Sequence, residues 1–207
     1  MAIPAVIGNK KRNQRAHSDF KYKFLKTNVR DRRDKMNTNL KLVKVDSNYC
    51  NYLRKFDKRV PYNYGTKEIR PFVGVLLKVN GCMYFAPLSS PKPKHLNMKD
   101  TIDFLRLDNG KLGAINFNNM IPVMENNVLE IFVNQKNDND KNNKYMYLLR
   151  DQLFWLNRNR KLLKMANTLY ESYLLKTLSK NVIRRCCNFP LLEQKCIEYN
   201  SKEVVNN

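Results

Sequence analysis

Residues 71–95, PFVGVLLKVNGCMYFAPLSSPKPKH, set the fold of this chain. Two β-rich runs flank Asn80-Gly81. Asn-Gly in that setting predicts a two-residue hairpin turn, because both turn positions must accept positive φ. With Asn80 and Gly81 as the turn, Val79 faces Cys82 and the ladder runs outward from that pair. The same register carries Arg70 opposite Pro91, beside Ser90 and Lys92, although the two segments are far apart in sequence. Ser89, Ser90, Lys92, Lys94 and His95 then gather hydroxyls, ammonium groups and an imidazole where the second strand ends. Such a set can bind and polarise a phosphate, and Pro91 and Pro93 stiffen the loop that holds it. Solvated Ser-Pro-Lys loops are common on protein surfaces. The convergence with Arg70 is what separates this loop from them.

Upstream of the hairpin, Leu40 to Val45 reads as a strand, and Asp46 and Ser47 offer N-cap oxygens to a following helix. Tyr49, Tyr52, Leu53 and Phe56 form its apolar stripe, ending near Asp57. Residues 60–70, with Pro61, Asn63 and Gly65, read as a loop. Downstream come β-like runs at Thr101–Leu107, Leu112–Phe117, Met120–Met124 and Val128–Val133, with an Asp108-Asn109-Gly110 turn between the first two. A polar loop over 134–143 precedes a change to helical period. Tyr145, Leu148, Leu149, Leu153 and Leu156 make one apolar face, and Leu162, Ala166, Leu169 and Tyr173 make another. Pro190 opens a last short helix, and residues 201–207 read as a frayed tail. The fold class is α+β: a mostly antiparallel sheet, one early helix and a C-terminal helical layer.

The 207 residues carry 39 Lys and Arg against 18 Asp and Glu, a formal net charge of +21. That excess points to a polyanionic partner, nucleic acid before an acidic membrane. The first 35 residues hold eleven Lys or Arg against three Asp and no sustained apolar period. They read as a basic arm that does not pack: either a segment upstream of a natural start at Met36, or an arm adding affinity for nucleic acid. Residues 36–207 form one domain. No apolar run is long enough for a bilayer span, and the charge order at the N-terminus reverses that of a signal peptide, so the expected compartment is the cytoplasm. Cys50, Cys82, Cys186, Cys187 and Cys196 match no zinc spacing and are expected to be free, mostly buried thiols. With His17 and His95 as the only histidines, no metal site is expected. Neither G-x-x-x-x-G-K-[ST] nor G-x-G-x-x-G occurs, which removes nucleotide-driven chemistry. No cofactor is expected.

Four blocks carry a family resemblance: VDSNYCNYLRKFDKRVP (45–61), the hairpin and site loop (71–95), KLGAINFNNMIPV (111–123) and CCNFPLLEQKC (186–196). In order and spacing the stretch from Val43 to Tyr199 resembles the ToxN/AbiQ family, the endoribonuclease toxins of type III toxin–antitoxin systems. Residues 1–35 have no counterpart in it. The resemblance implies a compact fold similar to that of the MazF/Kid toxins with added helices. It also implies metal-independent cutting of single-stranded RNA, by ribose 2′-hydroxyl attack that leaves a 2′,3′-cyclic phosphate. A small repeat-derived antitoxin RNA would be both product and inhibitor, held in a closed protein–RNA assembly, with cellular and phage RNA as substrates.

Roles follow position by position. Ser90 stands where the family's key serine does, Ser89 where a threonine or serine is usual, and Lys92 at the basic residue two places on. Tyr49 corresponds to a tyrosine of the first helix, although the stripe it shares would by itself make it core. Arg70 occupies a lysine position, keeping the charge but not the ready proton. Tyr64 matches a tyrosine of the preceding loop and is a secondary candidate. His95 is a second one, on chemistry alone, with a solvated loop position as its plain reading. Without a Ser–His–Asp set, Ser89 and Ser90 serve as donors to phosphate rather than as nucleophiles. Lys94, Arg158, Arg160, Lys161, Lys164, Lys180, Arg184 and Arg185 are the expected RNA contacts. A non-catalytic basic RNA-binding protein is the rival reading, since stacking aromatics and cations serve both.

Overall fold

The computed structural model describes residues 39–62, 70–133, 140–159 and 161–205. The expected basic arm over 1–35 lies outside the described residues. So do Tyr64 and Arg160.

Among the described residues, eight strands form an antiparallel sheet built on one long strand. They are β1 (Lys41–Val45), β2 (Phe72–Gly74), β3 (Lys78–Val79), β4 (Cys82–Ser89), β5 (Phe104–Arg106), β6 (Ala114–Asn116), β7 (Ile121–Val123) and β8 (Val128–Glu130). β4 takes β2 and β3 along one edge and β6 and β7 along the other. Beyond these, β2 pairs β1, β1 pairs β8, and β6 pairs β5. A strand covered on both faces can be apolar throughout, and β4 is buried from Tyr84 to Leu88.

The hairpin turn forms as its sequence requires. Asn80 and Gly81 have φ of 49° and 80°, and Val79 pairs Cys82. The register then departs from expectation. The Leu76 N–H donates to the Tyr84 carbonyl while the Tyr84 N–H donates to the Leu77 carbonyl, so two residues oppose one. By β2 the ladder has moved two positions, with Phe72 facing Pro87 and Val73 facing Ala86.

Helix α1 (Ser47–Arg54) begins as expected, the Asp46 carboxylate accepting the Tyr49 N–H at 2.7 Å. Helices α2 (Pro93–Asn97), α3 (Asp140–Arg158), α4 (Lys161–Leu174), α5 (Lys180–Arg185) and α6 (Phe189–Val205) follow among the described residues. Residues 201–205 continue α6 rather than fraying, and residues 140–143 belong to α3 rather than to a loop. Leu149, Leu156, Leu162, Ala166 and Leu169 bury the faces read from periodicity.

Two polar anchors fix the helical layer. Asn157 of α3 accepts the Leu40 N–H at 2.7 Å and donates to its carbonyl at 3.2 Å. Glu193 of α6, almost wholly buried, accepts the Tyr84 and Tyr170 hydroxyls, each at 2.7 Å, and the Asn80 amide at 3.1 Å. One carboxylate thereby joins the hairpin turn, the central strand and two helices. All five cysteines are free and buried.

Candidate active site

Ser89 is the last residue of β4, held by its pairing with Ala114 of β6. Its Oγ accepts a hydrogen bond from the Asn116 amide at 3.2 Å. The chain then turns through Ser90 and Pro91, both exposed, into α2. Pro93 sits at the start of that helix, where its missing N–H costs nothing, and Lys92 precedes it in extended conformation. The Lys92 carbonyl accepts the His95 N–H at 2.8 Å, closing the turn. The site loop is thus a short helix, a structure its two prolines conceal in the sequence.

A groove of ≈ 300 Å³ opens beside this turn. Its lining brings together Ser89, Lys92, Lys94 and His95 from the hairpin end, Asn116 and Asn118 from the β6 segment, and Asp103 and Arg185. Lys92 and Lys94 are exposed within it.

His95 corrects an expectation. It is 3% exposed, so it is not a solvated loop residue. Its ring leans toward Phe104, and Nδ1 is shielded with no hydrogen-bond partner among the described residues. Burial, with Lys94 and Lys92 adding to it, pushes the imidazole below its ordinary value of 6.5, so the neutral form prevails at pH 7.

Arg70 is corrected in register. The Leu88 N–H donates to the Pro71 carbonyl at 2.9 Å, and extending this ladder sets Arg70 across from Ser89, not Pro91. It is half-buried, and burial lowers its guanidinium pKa. Among the described residues it has no carboxylate partner, and it is not one of the residues that line the groove.

Tyr49 is corrected more fully. It is wholly buried and lines no part of the groove. Its hydroxyl donates to the Pro122 carbonyl at 2.6 Å, and its ring meets Tyr199 edge-on. Burial, reinforced by Cys196, raises its phenol far above the ordinary range. The apolar stripe, not the family correspondence, describes where this side chain goes.

The expected RNA contacts divide into two groups. Arg185 joins the groove, where its Nε and a terminal nitrogen each donate to Asp103 at 3.0 Å. Lys94 lines the groove as well, and the remaining described ones lie elsewhere: Lys161 and Lys164 exposed on α4, Lys180 and Arg184 exposed on α5, and Arg158 stacked 3.9 Å over Phe154 on α3. Asp103, Asn116 and Asn118 escape the sequence reading. The asparagines belong to the INFNN run, where polar amides interrupt an apolar alternation, and Asp103 is one acid in a basic chain. Only the fold brings them to the hairpin end.

Residues 41–197 match the family model for toxin ToxN of the type III toxin–antitoxin system. The endoribonuclease ToxN of Bacillus thuringiensis subsp. kurstaki is 33% identical over 172 residues, covering 80% of this chain and 87% of that protein. The endoribonuclease AbiQ of Lactococcus lactis subsp. lactis is 28% identical over 183 residues, 80% of this chain and 92% of its own length. A solved structure from a bacterial type III system, whose toxin is selectively inhibited by a non-coding RNA pseudoknot, superposes with a TM-score of 0.67. It is 33% identical and covers 79% of this chain and 99% of the other. With the matched region spanning the sheet, the site loop and the helical layer, this chain belongs to the ToxN family of type III toxin–antitoxin toxins.

Proposed function

We propose that this chain is an endoribonuclease that cuts single-stranded RNA in the groove beside Ser89–His95. The observation that carries the reading is the gathering of Ser89, Lys92 and His95 in one cleft, with Arg70 across the ladder from Ser89. Internal cleavage needs the ribose 2′-hydroxyl deprotonated, the phosphorane's added charge met, and the departing 5′-oxygen protonated. Lys92 and Arg70 are the charge stabilisers. Ser89 and Ser90 orient the phosphate as hydrogen-bond donors. The product is a 2′,3′-cyclic phosphate and a free 5′-hydroxyl.

The reaction is read as metal-independent, as the family resemblance implies. Lys94, Arg158, Lys161, Lys164, Lys180 and Arg184 serve as phosphate contacts for a folded antitoxin RNA in a closed assembly, and cellular and phage RNAs are the substrates. Among the described residues no helix is long and apolar enough to cross a membrane, and cytoplasmic action fits that partnership. The likeness to MazF/Kid toxins belongs to the same reading, supported by an antiparallel sheet centred on one long strand with helices added.

Induced expression of the full chain in a bacterium tests the proposal. Growth should arrest with wild type and continue with Ser90→Ala at equal protein level. Continued growth with abundant wild-type protein would favour a non-catalytic RNA-binding role.

A further inference from the structure

The groove has a second cationic element that the hairpin does not supply. Arg185 closes α5, in the helical layer, yet its side chain reaches Asp103, just ahead of β5. Asp103 is 2% exposed and takes a two-pronged contact from the guanidinium. The Thr101 hydroxyl donates to the same carboxylate at 2.9 Å. The Asp103 backbone is equally fixed, its carbonyl accepting the Phe117 N–H at 3.0 Å and the Asn118 N–H at 3.3 Å. The Asn118 amide in turn donates to the Arg185 carbonyl at 3.2 Å. Carboxylate and guanidinium are therefore tied at both side chain and main chain.

A buried carboxylate that takes two parallel N–H bonds sets the plane of the guanidinium and leaves its other edge unused. Arg185 keeps 49% side-chain exposure and lines the groove. Its remaining N–H groups have no acceptor among the described residues. Lys92, Lys94, Lys99 and Arg185 set four cations against the single carboxylate of Asp103 in the lining, so an anion is favoured there despite the pairing.

We propose that Arg185 is a second phosphate subsite, holding a non-scissile phosphodiester of the RNA while Ser89, Ser90 and Lys92 act on the scissile one. Asp103 is a positioning residue that aims Arg185 and touches no RNA. The inference rests on the groove being where RNA is cut. It explains why α5 is held to the β5 and β6 segments by polar contacts, and it makes the helical layer part of substrate binding. Two phosphates gripped by separate elements fix the strand's direction through the groove, which one contact cannot do.

The test uses an RNA oligonucleotide spanning a mapped cleavage site, with single phosphates replaced in turn by neutral methylphosphonates. With the wild-type full chain, neutralising one particular non-scissile phosphate should raise KM on the order of tenfold and leave kcat within about twofold. With Arg185→Gln the all-phosphate substrate should show that same rise, and the special position should lose its effect. Asp103→Asn should match Arg185→Gln, and the double variant should be no worse than either alone. Equal sensitivity at every non-scissile phosphate of the wild type would overturn the subsite, and needs no variant to fold. An Arg185→Gln loss confined to kcat would overturn it too. A wild-type protein that cuts no RNA would instead reject the functional reading beneath it.

Discussion

Gly113 lies against the peptide that joins Ser89 to Ser90. A β-carbon there would fall inside the Ser89 carbonyl oxygen, 3.0 Å from the Ser90 carbonyl carbon and 3.1 Å from the Pro91 nitrogen. Its φ is +98°, which an L side chain rarely adopts. Gly113→Ala should therefore displace the Ser89–Pro91 backbone, costing about 3 kcal/mol or more in stability and most of the cleavage activity. Gly81→Ala is the matched control. It too has positive φ, +80°, but nothing within 4 Å of the added carbon, so it should cost about 1 kcal/mol and spare activity. Thermal melts and cleavage assays on both variants check the pair.

Glu193→Ala should destabilise the chain without touching the groove. Removing the carboxylate takes the 2.7 Å acceptor from the buried Tyr84 and Tyr170 hydroxyls and opens a cavity among four elements, for a loss of about 2–4 kcal/mol. Tyr170→Phe removes one donor only and should cost about 1 kcal/mol. Denaturant midpoints measure both. The refolded Glu193→Ala protein should cleave RNA at the wild-type rate per folded molecule.

Acid should weaken the fold through Asp57. Burial by itself would raise this carboxyl, but the Arg59 side chain and the Asn188 and Arg59 N–H groups outweigh it and hold it below its ordinary 3.8. The Asn188 N–H donates at 2.7 Å, tying α1's exit to the start of α6. A folded pKa below the unfolded one gives stability that is full above 3.8 and lost as pH falls through the folded value. Wild type should exceed Asp57→Asn in unfolding free energy at pH 7, and the gap should narrow below about pH 4. A gap unchanged at pH 3 would contradict this.

Lys92 and Lys164 should separate chemistry from binding. Lys92→Ala should slow cleavage on the order of a hundredfold, as loss of one transition-state donor commonly does. Its affinity for folded antitoxin RNA should fall much less, since many cations share those contacts. Lys164→Ala should weaken RNA binding and flatten its salt dependence while single-turnover cleavage at saturation stays nearly unchanged. Proportional losses of both properties in both variants would mean the two surfaces are not distinct.

The hairpin is readable from residues 71–95 because Asn-Gly leaves few alternatives, and the pair at Val79 and Cys82 forms as expected. Arg70 lands elsewhere because register arithmetic assumes an unbroken ladder: the doubled pairing at Tyr84 moves it one position, and a second is gained before Val73 meets Ala86. Nothing local in GVLLKV announces that. Ser89, Lys92 and Lys94 can be found as neighbours in sequence. Asp103, Asn116, Asn118 and Arg185 cannot be joined to them, because their meeting depends on which strands flank β4 and where α5 returns. His95 departs from expectation for a related reason, since its burial comes from elements downstream. Gly110 packs so closely there that an added β-carbon would stand 2.5 Å from the His95 carbonyl oxygen. Tyr49 shows the reverse case, where the apolar stripe of Tyr52 and Leu53 already describes the outcome.

Metal-independent cleavage at Ser90 and Lys92 stands or falls on the chemistry of the RNA ends. Purified wild type, Ser90→Ala and Lys92→Ala are incubated with single-stranded RNA in excess EDTA, and the new 3′ ends are identified by mass spectrometry. Wild type should yield 2′,3′-cyclic phosphate ends at an undiminished rate, and either variant almost none. Cleavage that stops with EDTA and returns with a divalent ion, or that persists in both variants, would contradict that chemistry.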